Sequence, residues 1–405
     1  MIEKKTYQLF SSVQHYEWGT KGKKAYIPNL LGIDPEDKPY AELWIGAHST
    51  LPSKIMIEYK LIELNKLIEK FPNEILGERV SKQFNKKLPF LLKVLSAGQA
   101  LSIQTHPNKE QAEKLNQKDP KNYPDDNHKP EIAIVLTTLN TLVGFKNPNE
   151  ILDNLNKYPP LKEFLGEETV SVFELSLQNK DNSLDNIRNT FSKLIKNSSD
   201  VSALSNCINS IVQIISKKTD LDETEKLFLE LKSDYGIDIG LLTLFFLKNL
   251  QLVEGEAIFT PAGVPHAYLK GDIVECMANS DNVVRAGLTP KFKDVETLLN
   301  IVSYEDNDPI ITGHYSNEVM TKYSPPIDEF QIEKIELDNN GIELFTKDQV
   351  EILLVIKGEV NISIDNGSNG ILTYTKGEAI MIPALVDQYK IYTETTAIVY
   401  RVTIP

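Results

Sequence analysis

The sequence predicts a mainly β protein made of two β-sandwich units, with a block of helices inserted into the first. A glycine-led phrase occurs twice, as GEAIFTPAGVPHAY (Gly255 to Tyr268) and as GEAIMIPALVDQYK (Gly377 to Lys390). Short apolar runs of strand length flank both copies, whereas the stretch from about Pro148 to Leu250 has helical spacing. The copies lie 122 residues apart, which is too far for a solenoid repeat and indicates two separate β units.

The first unit is expected to occupy residues 1–147 and 251–320. PFLLKVLSA (Pro89 to Ala97) and EIAIVLTTL (Glu131 to Leu139) are apolar runs of strand length. In LIELNKLIEKF (Leu61 to Phe71) five apolar residues fall on one helical face, so a helix is predicted there; they are Leu61, Leu64, Leu67, Ile68 and Phe71.

The inserted helical domain is expected to occupy residues 148–250. Apolar residues repeat at helical spacing from Leu184 to Ile195 and again from Val201 to Ile215. In the next helix Asp222 is the candidate N-cap and Gly236 the stop. GLLTLFFLKNLQL, from Gly240 to Leu252, is then predicted to be a strongly apolar helix.

The second unit is expected to occupy residues 321–405 and to lack a metal site. EILLVIKGEVNISID, GILTYTKGEAIMIPA and TAIVYRVTI are short strands separated by glycine and aspartate turns, as in a sandwich or jelly roll. In the shared phrase glycine permits a tight corner and proline ends the strand. His266 in the first copy falls where Gln388 stands in the second, which indicates that only the first unit carries a site.

Composition excludes several classes of partner and location. A net charge of −14 argues against nucleic acid or an anionic membrane as a partner. The sequence has no apolar run of the roughly 18 residues needed to span a bilayer, and no secretory signal is visible at its start. Two cysteines are too few for a disulfide framework, so we expect a reducing cytoplasm.

Four side chains of metal-ligand type lie in strand-like surroundings in the first unit. Gln104 and His106 in SIQTHPN are two residues apart, so a strand would project both from one face. Glu131 opens an apolar run, and His266 lies in the repeated phrase. Two imidazoles, a carboxylate and an amide suit Zn²⁺ with an open position. Two histidines and a carboxylate also suit iron, so the ligand types leave the metal open.

Five longer motifs span the first unit on both sides of the helical block. They are VQHYEWG, YAELWIGAHSTLPS, LPFLLKVLSAGQALSIQTHP, HKPEIAI and FTPAGVPHAYLKGDIVECMANSDNVVRAGLTPKFKD. Together they resemble the type I mannose-6-phosphate isomerase (phosphomannose isomerase) family. The resemblance implies a cupin-type β-sandwich with one bound zinc that interconverts D-mannose 6-phosphate and D-fructose 6-phosphate through an enediol(ate). Such an enzyme would feed mannose metabolism and GDP-mannose synthesis.

The resemblance also implies roles for individual residues by their position in these motifs. It assigns the zinc to Gln104, His106, Glu131 and His266. It gives substrate or phosphate contacts to Ser102, Lys93, Lys129 and Lys291. Catalytic or pocket positions fall on Arg285, Lys129, Glu275, Asp281 and His48.

Isomerisation moves a proton between C2 and C1, which requires a base and a stabiliser for the oxyanion that develops. Arg285 can stabilise the oxyanion, because its guanidinium is permanently charged and presents a planar fork of donors. Lys129 lies two residues before Glu131, and a nearby cation would depress its pKa and make it a proton carrier. The residue types leave the base open among Lys129, Glu275, His48 and Asp281, and Asp281 is also eligible to orient Arg285.

Two other functions compete with the isomerase. A cupin iron dioxygenase would use the same two histidines and carboxylate, and a non-catalytic sugar-binding bicupin would need no base. Lys93, Lys129, Arg285 and Lys291 gather in the site motifs of an otherwise acidic chain, and a positive pocket of this kind would attract a sugar phosphate. We therefore expect a small-molecule sugar phosphate as the partner of the enzyme. We also expect the enzyme to be a monomer.

Overall fold

The chain folds into antiparallel sheets together with a nearly equal share of helix. The computed structural model describes residues 2–179, 183–305, 309–365 and 370–405. Helix accounts for 31% of the structure and strand for 34%, so the expectation of a mainly β protein was too narrow. Within the described residues no helix is both long and apolar enough to cross a bilayer.

Eight strands precede the main helical stretch. They are β1 (Tyr7–Leu9), β2 (Ser12–Gln14), β3 (Glu42–Gly46), β4 (Lys54–Ile57), β5 (Lys60–Glu63), β6 (Phe90–Ala97), β7 (Ile103–Thr105) and β8 (Glu131–Phe145). The helices among them are α1 (Tyr26–Leu31), α2 (Leu64–Lys70), α3 (Pro72–Leu76), α4 (Glu78–Gln83) and α5 (Lys109–Lys118), with a 3₁₀ turn at Gly22–Lys24.

Between β8 and the next strand the described elements are all helices. They are α6 (Pro148–Lys157), α7 (Pro159–Leu165), α8 (Glu167–Asn179), α9 (Ser183–Asn197), α10 (Val201–Ile215), α11 (Glu223–Tyr235) and α12 (Gly240–Thr243). The two predicted helices are present as α9 and α10, although Leu184 and Val201 near their starts are exposed. The predicted ends of α11 are confirmed as well, because the Asp222 side chain accepts from the N–H of Glu225 in a capping box and Gly236 ends the helix at φ +67°.

The remaining elements are again mostly strands. They are β9 (Leu247–Val253), β10 (Ala257–Thr260), β11 (His266–Ala278), β12 (Val284–Gly287), α13 (Val295–Ile301), β13 (Ile310–Ile311), β14 (His314–Asn317), β15 (Met320–Tyr323), β16 (Gln331–Asp338), β17 (Gly341–Phe345), β18 (Glu351–Lys357), β19 (Glu359–Ser363), β20 (Ile371–Thr375), β21 (Ala379–Ile382), β22 (Gln388–Tyr392) and β23 (Thr396–Thr403).

Two predicted helices are wrong in part. The segment 61–71 begins as strand β5, because Glu58 and Tyr59 both take left-handed φ angles and fold β4 and β5 into a hairpin before α2 starts. The segment 240–252 is helical only in α12. Its second half becomes β9, which pairs along the distal half of β8 and so uses its apolar residues in a sheet.

The first sheet carries the candidate site on one face and packs its other face on the second unit. Its strand order is β13-β10-β8-β11-β6-β3-β2, with β9 paired to β8, and with β7 joining β11 to β12. Residues of one parity, such as Lys93, Glu131 and Glu275, project to the site face. Residues of the other parity, such as Leu92 and Ile132, share an apolar core with Ile352 and Val402 of the second unit.

The second unit is a pair of sheets that enclose their own apolar core. One sheet has the order β1-β21-β18-β23-β16-β15-β14 and the other β17-β22-β19-β20. The amino-terminal strand β1 and the hairpin β14–β15 lie in this unit, so the chain crosses between units outside the expected divisions at residues 147, 250 and 320.

The two copies of the repeated phrase occupy equivalent places. Gly255 and Gly377 have φ angles of 86° and 89°, and their N–H groups bond to Val135 O and Val355 O. Strand β10 then pairs with β8 in the same register in which β21 pairs with β18, so that Thr260 faces Glu131 as Ile382 faces Glu351.

The same registers fix two further equivalences. Glu275 lies opposite Ala133 on one side and Lys93 on the other. Arg401 lies opposite Leu353 and Glu333 in the corresponding way. Glu351 therefore corresponds to Glu131, Arg401 to Glu275, and Glu333 to Lys93.

Candidate active site

Three buried side chains converge at one end of the first sheet. Ligand atoms of His106, Glu131 and His266 all lie within 4.8 Å of one another. His106 Nε2 is 3.5 Å from Glu131 Oε1, and His266 Nε2 is 3.3 Å from Glu131 Oε2. All three side chains are no more than 2% exposed. His106 directly follows β7, whereas Glu131 begins β8 and His266 begins β11, so the strand ends bring together residues that are far apart along the chain.

The histidine rings are oriented by the backbone. Nδ1 of His106 lies 2.7 Å from Asn282 O, and Nδ1 of His266 lies 3.0 Å from Val264 O. A carbonyl oxygen can only accept, so each Nδ1 carries the proton, and each Nε2, which lies next to Glu131, keeps a free lone pair. Burial lowers the pKa of His106 to about 4, which keeps that ring neutral, the form that binds metal.

The cluster fits a metal ion on an observation independent of ligand type. His106 Nε2, His266 Nε2 and Glu131 Oε2 are buried and have no hydrogen-bond partner. Unpartnered buried polar atoms are rare in folded proteins, because each forfeits its hydration without replacement. Three that face one another are the donor set that a divalent cation would satisfy.

Gln104 lies beside this cluster in the sheet. It pairs with His266 on β11 and with Arg285 on β12, and cross-strand partners project from the same face. Its Oε1 accepts from Ser102 Oγ at 3.5 Å. The register therefore brings the expected fourth ligand and the expected arginine next to the buried histidines.

Lys129 is in direct contact with the cluster. It is buried, and its Nζ lies 3.2 Å from Glu131 Oε1. Burial favours the neutral form of Glu131, but Lys129 and then His106 outweigh it and hold the pKa of the carboxyl well below its ordinary value. The site therefore contains a carboxylate with a lysine beside it.

A second buried ion pair lies further along the same face. Lys93 Nζ is 3.2 Å from Glu275 Oε2 and 3.8 Å from Glu42 Oε2, and it lies over the ring of Trp44. Burial opposes the charge of Lys93, but the surrounding carboxylates outweigh it and raise its pKa. Burial also raises the pKa of Glu275, over the opposing effect of Lys93. Glu275 can thus hold a proton more readily than an ordinary glutamate.

His48 and Asp281 form a third pair. His48 Nε2 is 3.2 Å from Asp281 Oδ2, and the hydrogen bond from His48 lowers the pKa of the aspartate. The backbone N–H of Asp281 donates to Asp125 Oδ2. Asp281 is therefore directed at His48, and no ion pair links it to Arg285 in the described part of the chain.

Arg285 has no carboxylate partner among the described residues. Its Nε is buried without a hydrogen-bond partner, and burial lowers its pKa without bringing it near the neutral form. A guanidinium in this state is available to an anion that enters the site. Lys291 lies on the loop that follows β12, where it is exposed.

Sequence reasoning missed three residues that lie in or next to the site. Tyr268 has a buried hydroxyl without a hydrogen-bond partner, and burial raises its pKa well above its ordinary value. Its position two residues after His266 on a strand was an available signal. Asn282 had none, because it holds His106 through a backbone carbonyl. Glu329 also went unnoticed, although its Oε1 lies 2.5 Å from Nε2 of His128, the neighbour of Lys129.

Both the family model and the curated relatives that match this chain are phosphomannose or mannose-6-phosphate isomerases. A family model described as phosphomannose isomerase type I, catalytic domain, matches residues 6–148. The mannose-6-phosphate isomerase of Rattus norvegicus is 40% identical over 404 residues, covering 95% of each chain. Mannose-6-phosphate isomerase 2 of Arabidopsis thaliana is 36% identical and covers 93% of this chain and 88% of its own.

Solved structures are similar over almost the whole chain. An arginine-to-alanine mutant of phosphomannose isomerase from Salmonella typhimurium superposes with a TM-score of 0.86 at 30% identity, covering 98% of this chain and 99% of that one. A zinc-bound holo mannose 6-phosphate isomerase superposes with a TM-score of 0.84 at the same identity, and the two coverages are again 98% and 99%.

Proposed function

The chain belongs to the mannose-6-phosphate isomerase family, and we propose that it interconverts D-mannose 6-phosphate and D-fructose 6-phosphate with zinc as its cofactor. The observation that carries the proposal is the set of three mutually facing, unpartnered ligand atoms on His106, Glu131 and His266. It occurs in a chain 40% identical to a curated mannose-6-phosphate isomerase over 95% of both lengths. The dioxygenase and the non-catalytic bicupin lack comparable support, because the relatives reported above are isomerases.

Zinc would be held by His106, Glu131 and His266, with Gln104 as the fourth ligand and one ion per chain. When bound, it supplies Lewis acidity that polarises the sugar carbonyl. Gln104 supports this assignment through its place opposite His266 in the sheet. The hydrogen bonds at each Nδ1 fix the rings, so that binding the ion requires little rearrangement.

Arg285 holds the oxyanion that develops on the sugar. The guanidinium is half-buried, stays charged and has no competing carboxylate in the described structure. Donors of this kind stabilise charge most strongly where water is excluded. Lys291 on the following loop and Ser102 beside Gln104 bind the phosphate and hydroxyl groups of the substrate.

Lys129 carries the proton between C2 and C1. As the amine it takes the proton from one carbon, and as the ammonium so formed it returns the proton to the other. Its Nζ is buried 3.2 Å from Glu131 Oε1, beside the place where the reacting carbons must sit. Glu275 is the alternative carrier, since its pKa is raised, but its carboxylate is engaged by Lys93. His48 and Asp281 orient each other at the edge of the site.

The finer architecture is part of the same proposal. We assign a cupin-type sandwich to residues 1–147 and 251–320 apart from β1, β14 and the first residue of β15, a helical domain to 148–250 and a metal-free cupin-like unit to 321–405. The pairing of β1 and of β14–β15 supports moving those strands to the second unit. The enzyme is monomeric and cytoplasmic, acts on a small sugar phosphate in the supply of GDP-mannose, and takes neither nucleic acid nor membrane as a partner. Two buried free thiols agree with a reducing compartment.

A coupled assay with mannose 6-phosphate tests the function directly. We expect isomerase activity that is lost with a chelator and restored by Zn²⁺. Absence of turnover by the zinc-loaded protein, or oxygen consumption by the iron-loaded protein, would overturn the proposal. Loss of the metal from a His266→Gln variant, measured by metal analysis, checks the ligand assignment without any reference to activity.

A further inference from the structure

One carboxylate of the helical block binds the loop that follows β12. Asp238 lies between α11 and α12 and is 8% exposed. Its Oδ1 accepts the N–H of Gly240 and the N–H of Leu288, both at 2.7 Å. Its Oδ2 lies 3.2 Å from Lys293 Nζ. Asp238 therefore contacts the 288–293 loop at two separate points.

The loop needs such an anchor because its backbone is strained. Leu288 has a φ of +53°, in the left-handed region that residues with a Cβ rarely occupy. Its side chain is buried in the core shared with the helical block. A non-glycine residue keeps this conformation only where its surroundings determine it, and strain of this kind is concentrated near functional sites.

Two glycines allow the loop and the helical block to approach at backbone distance. A Cβ on Gly287 would lie 2.5 Å from Gly240 Cα, and a Cβ on Gly240 would lie 2.7 Å from Leu288 N. Both added carbons would also lie 2.9 Å from Asp238 Oδ1. The contact is therefore closely packed around the carboxylate, and a side chain at either glycine would push the loop away from the helical block.

The 288–293 loop follows Arg285 and contains Lys291, so it connects two residues of the proposed site. Arg285 is held by the pairing of β12 with Gln104 on β7, but the register is already irregular before Gly287 and the strand ends there. From Leu288 to Lys291 the backbone has no strand partner. The path of the chain from the arginine to the lysine thus depends on the contact with Asp238.

We propose that Asp238 is a positioning residue of the isomerase: it sets the loop from Leu288 to Lys293 so that Lys291 reaches the phosphate of the sugar held by Arg285. This inference rests on the proposed function. It assigns the helical block a part in substrate binding, through one carboxylate and without any contact with the substrate.

The test compares three variants of the zinc-loaded, full-length enzyme. Asp238→Ala removes both acceptors. Asp238→Asn keeps Oδ1 for the two N–H groups, and Lys293→Met removes only the ion pair. For each variant we measure KM and kcat with mannose 6-phosphate, the inhibition constant of inorganic phosphate, and zinc per chain.

The expected result separates positioning from stability. Asp238→Ala should raise KM and the phosphate inhibition constant together by about tenfold while kcat changes by less than about threefold, because Arg285 stays paired in the sheet. Asp238→Asn should remain within about threefold of wild type and Lys293→Met within about twofold. Zinc content should not change. A merely structural role would lower the amount of active enzyme and leave KM and the phosphate constant unaltered.

The inference would be overturned if a folded Asp238→Ala variant kept the wild-type KM and phosphate inhibition constant. It would also be overturned if Asp238→Asn raised KM and that constant as much as Asp238→Ala does. If Asp238→Ala does not fold, Gly240→Ala takes its place, since it crowds Leu288 N while keeping the carboxylate, and the same rise in KM is expected. If neither Asp238→Ala nor Gly240→Ala folds while Asp238→Asn behaves like wild type, the role of Asp238 is purely structural and the inference is overturned. Inactive wild-type enzyme would refute the proposed function instead.

Discussion

Replacing Arg401 by methionine should destabilise the second unit severely without touching the active site. Arg401 is buried between two buried carboxylates. It donates from Nε to Glu351 at 2.8 Å, from one terminal nitrogen again to Glu351 and from the other to Glu333 at 2.5 Å. Methionine fills much of the same volume but leaves two carboxylates without their cation.

The loss in the free energy of unfolding can be calculated from the cost of protonating one of the two carboxylates. In the variant Tyr389 still donates to Glu351, whereas Glu333 has lost the donor that Arg401 provided. Glu333 is therefore the carboxylate that takes up a proton. Protonating a glutamate of ordinary pKa near 4.3 at pH 7 costs about 3.7 kcal/mol, at 1.36 kcal/mol per pH unit. That figure agrees with the roughly 3–5 kcal/mol found when one partner of a buried ion pair is removed.

The same reasoning fixes how the loss depends on pH. In the variant a buried glutamate has a folded-state pKa above its unfolded value, so the folded state binds the extra proton and gains stability as the pH falls. The loss in the free energy of unfolding relative to wild type should therefore shrink to about 1.6 kcal/mol at pH 5.5, because that pH is 1.2 units above the ordinary pKa of glutamate.

Urea unfolding followed by circular dichroism, at pH 7 and at pH 5.5, measures both numbers. The control is the triple variant Arg401→Met, Glu333→Gln, Glu351→Gln, which removes the charges together and should recover most of the loss. Isomerase kinetics and zinc content should match wild type in both proteins. A loss below about 1 kcal/mol at pH 7, or one that does not change with pH, would refute the reasoning.

Three other outcomes test the site and the helical block. Arg285→Ala should lower kcat by about two to three orders of magnitude with zinc content near normal by metal analysis, because it removes the donors for the oxyanion; loss of zinc would show a structural role instead. Asp222→Ala should cost about 1 kcal/mol in urea unfolding, because it removes the cap of α11, whereas Asp222→Asn should keep the cap. Burial alone would raise the pKa of Glu225, but hydrogen bonds from Lys218 and then Tyr158 lower it to about 2. Since the folded-state pKa is lowered, the stability difference from Glu225→Gln should hold above pH 4.5 and decline as the pH falls towards 2, and a difference that grows on acidification would contradict the assignment.

The sequence was informative where one local rule decides the outcome. Asp222 and Gly236 mark the ends of α11 because capping depends on a few neighbouring residues. The strands β6 and β18 follow from short apolar runs. Leu247 and its neighbours were misassigned because an apolar run reads alike as buried helix or buried strand, and only the distant strand β8 decides between them.

The candidate site shows the same division. His106, Glu131 and His266 were recognisable by side-chain type, and the structure brings them together. The partners that orient them were not, because Asn282 and Val264 act through backbone carbonyls whose place depends on the whole sheet. The hydrogen bond between Asp238 and Leu288 could not be predicted either. It joins distant parts of the chain, and its donor is a backbone N–H that almost any residue would present.

The difference between His266 and Gln388 can now be given a physical cause. Both units bury a glutamate at the same place in the sheet, Glu131 in the first and Glu351 in the second. A buried carboxylate requires positive charge and hydrogen bonds beside it. In the second unit the chain itself supplies them through Arg401, and Gln388 instead donates to Glu343 near the surface. In the first unit the position of Arg401 is held by Glu275, and the ion pair that Lys129 makes with Glu131 is to Oε1. Oε2 of Glu131 therefore stays without a partner, as do the Nε2 atoms of His106 and His266. We therefore expect a histidine at this place only where the cation is an ion that must be bound from solution, and we expect the second unit to bind no metal there.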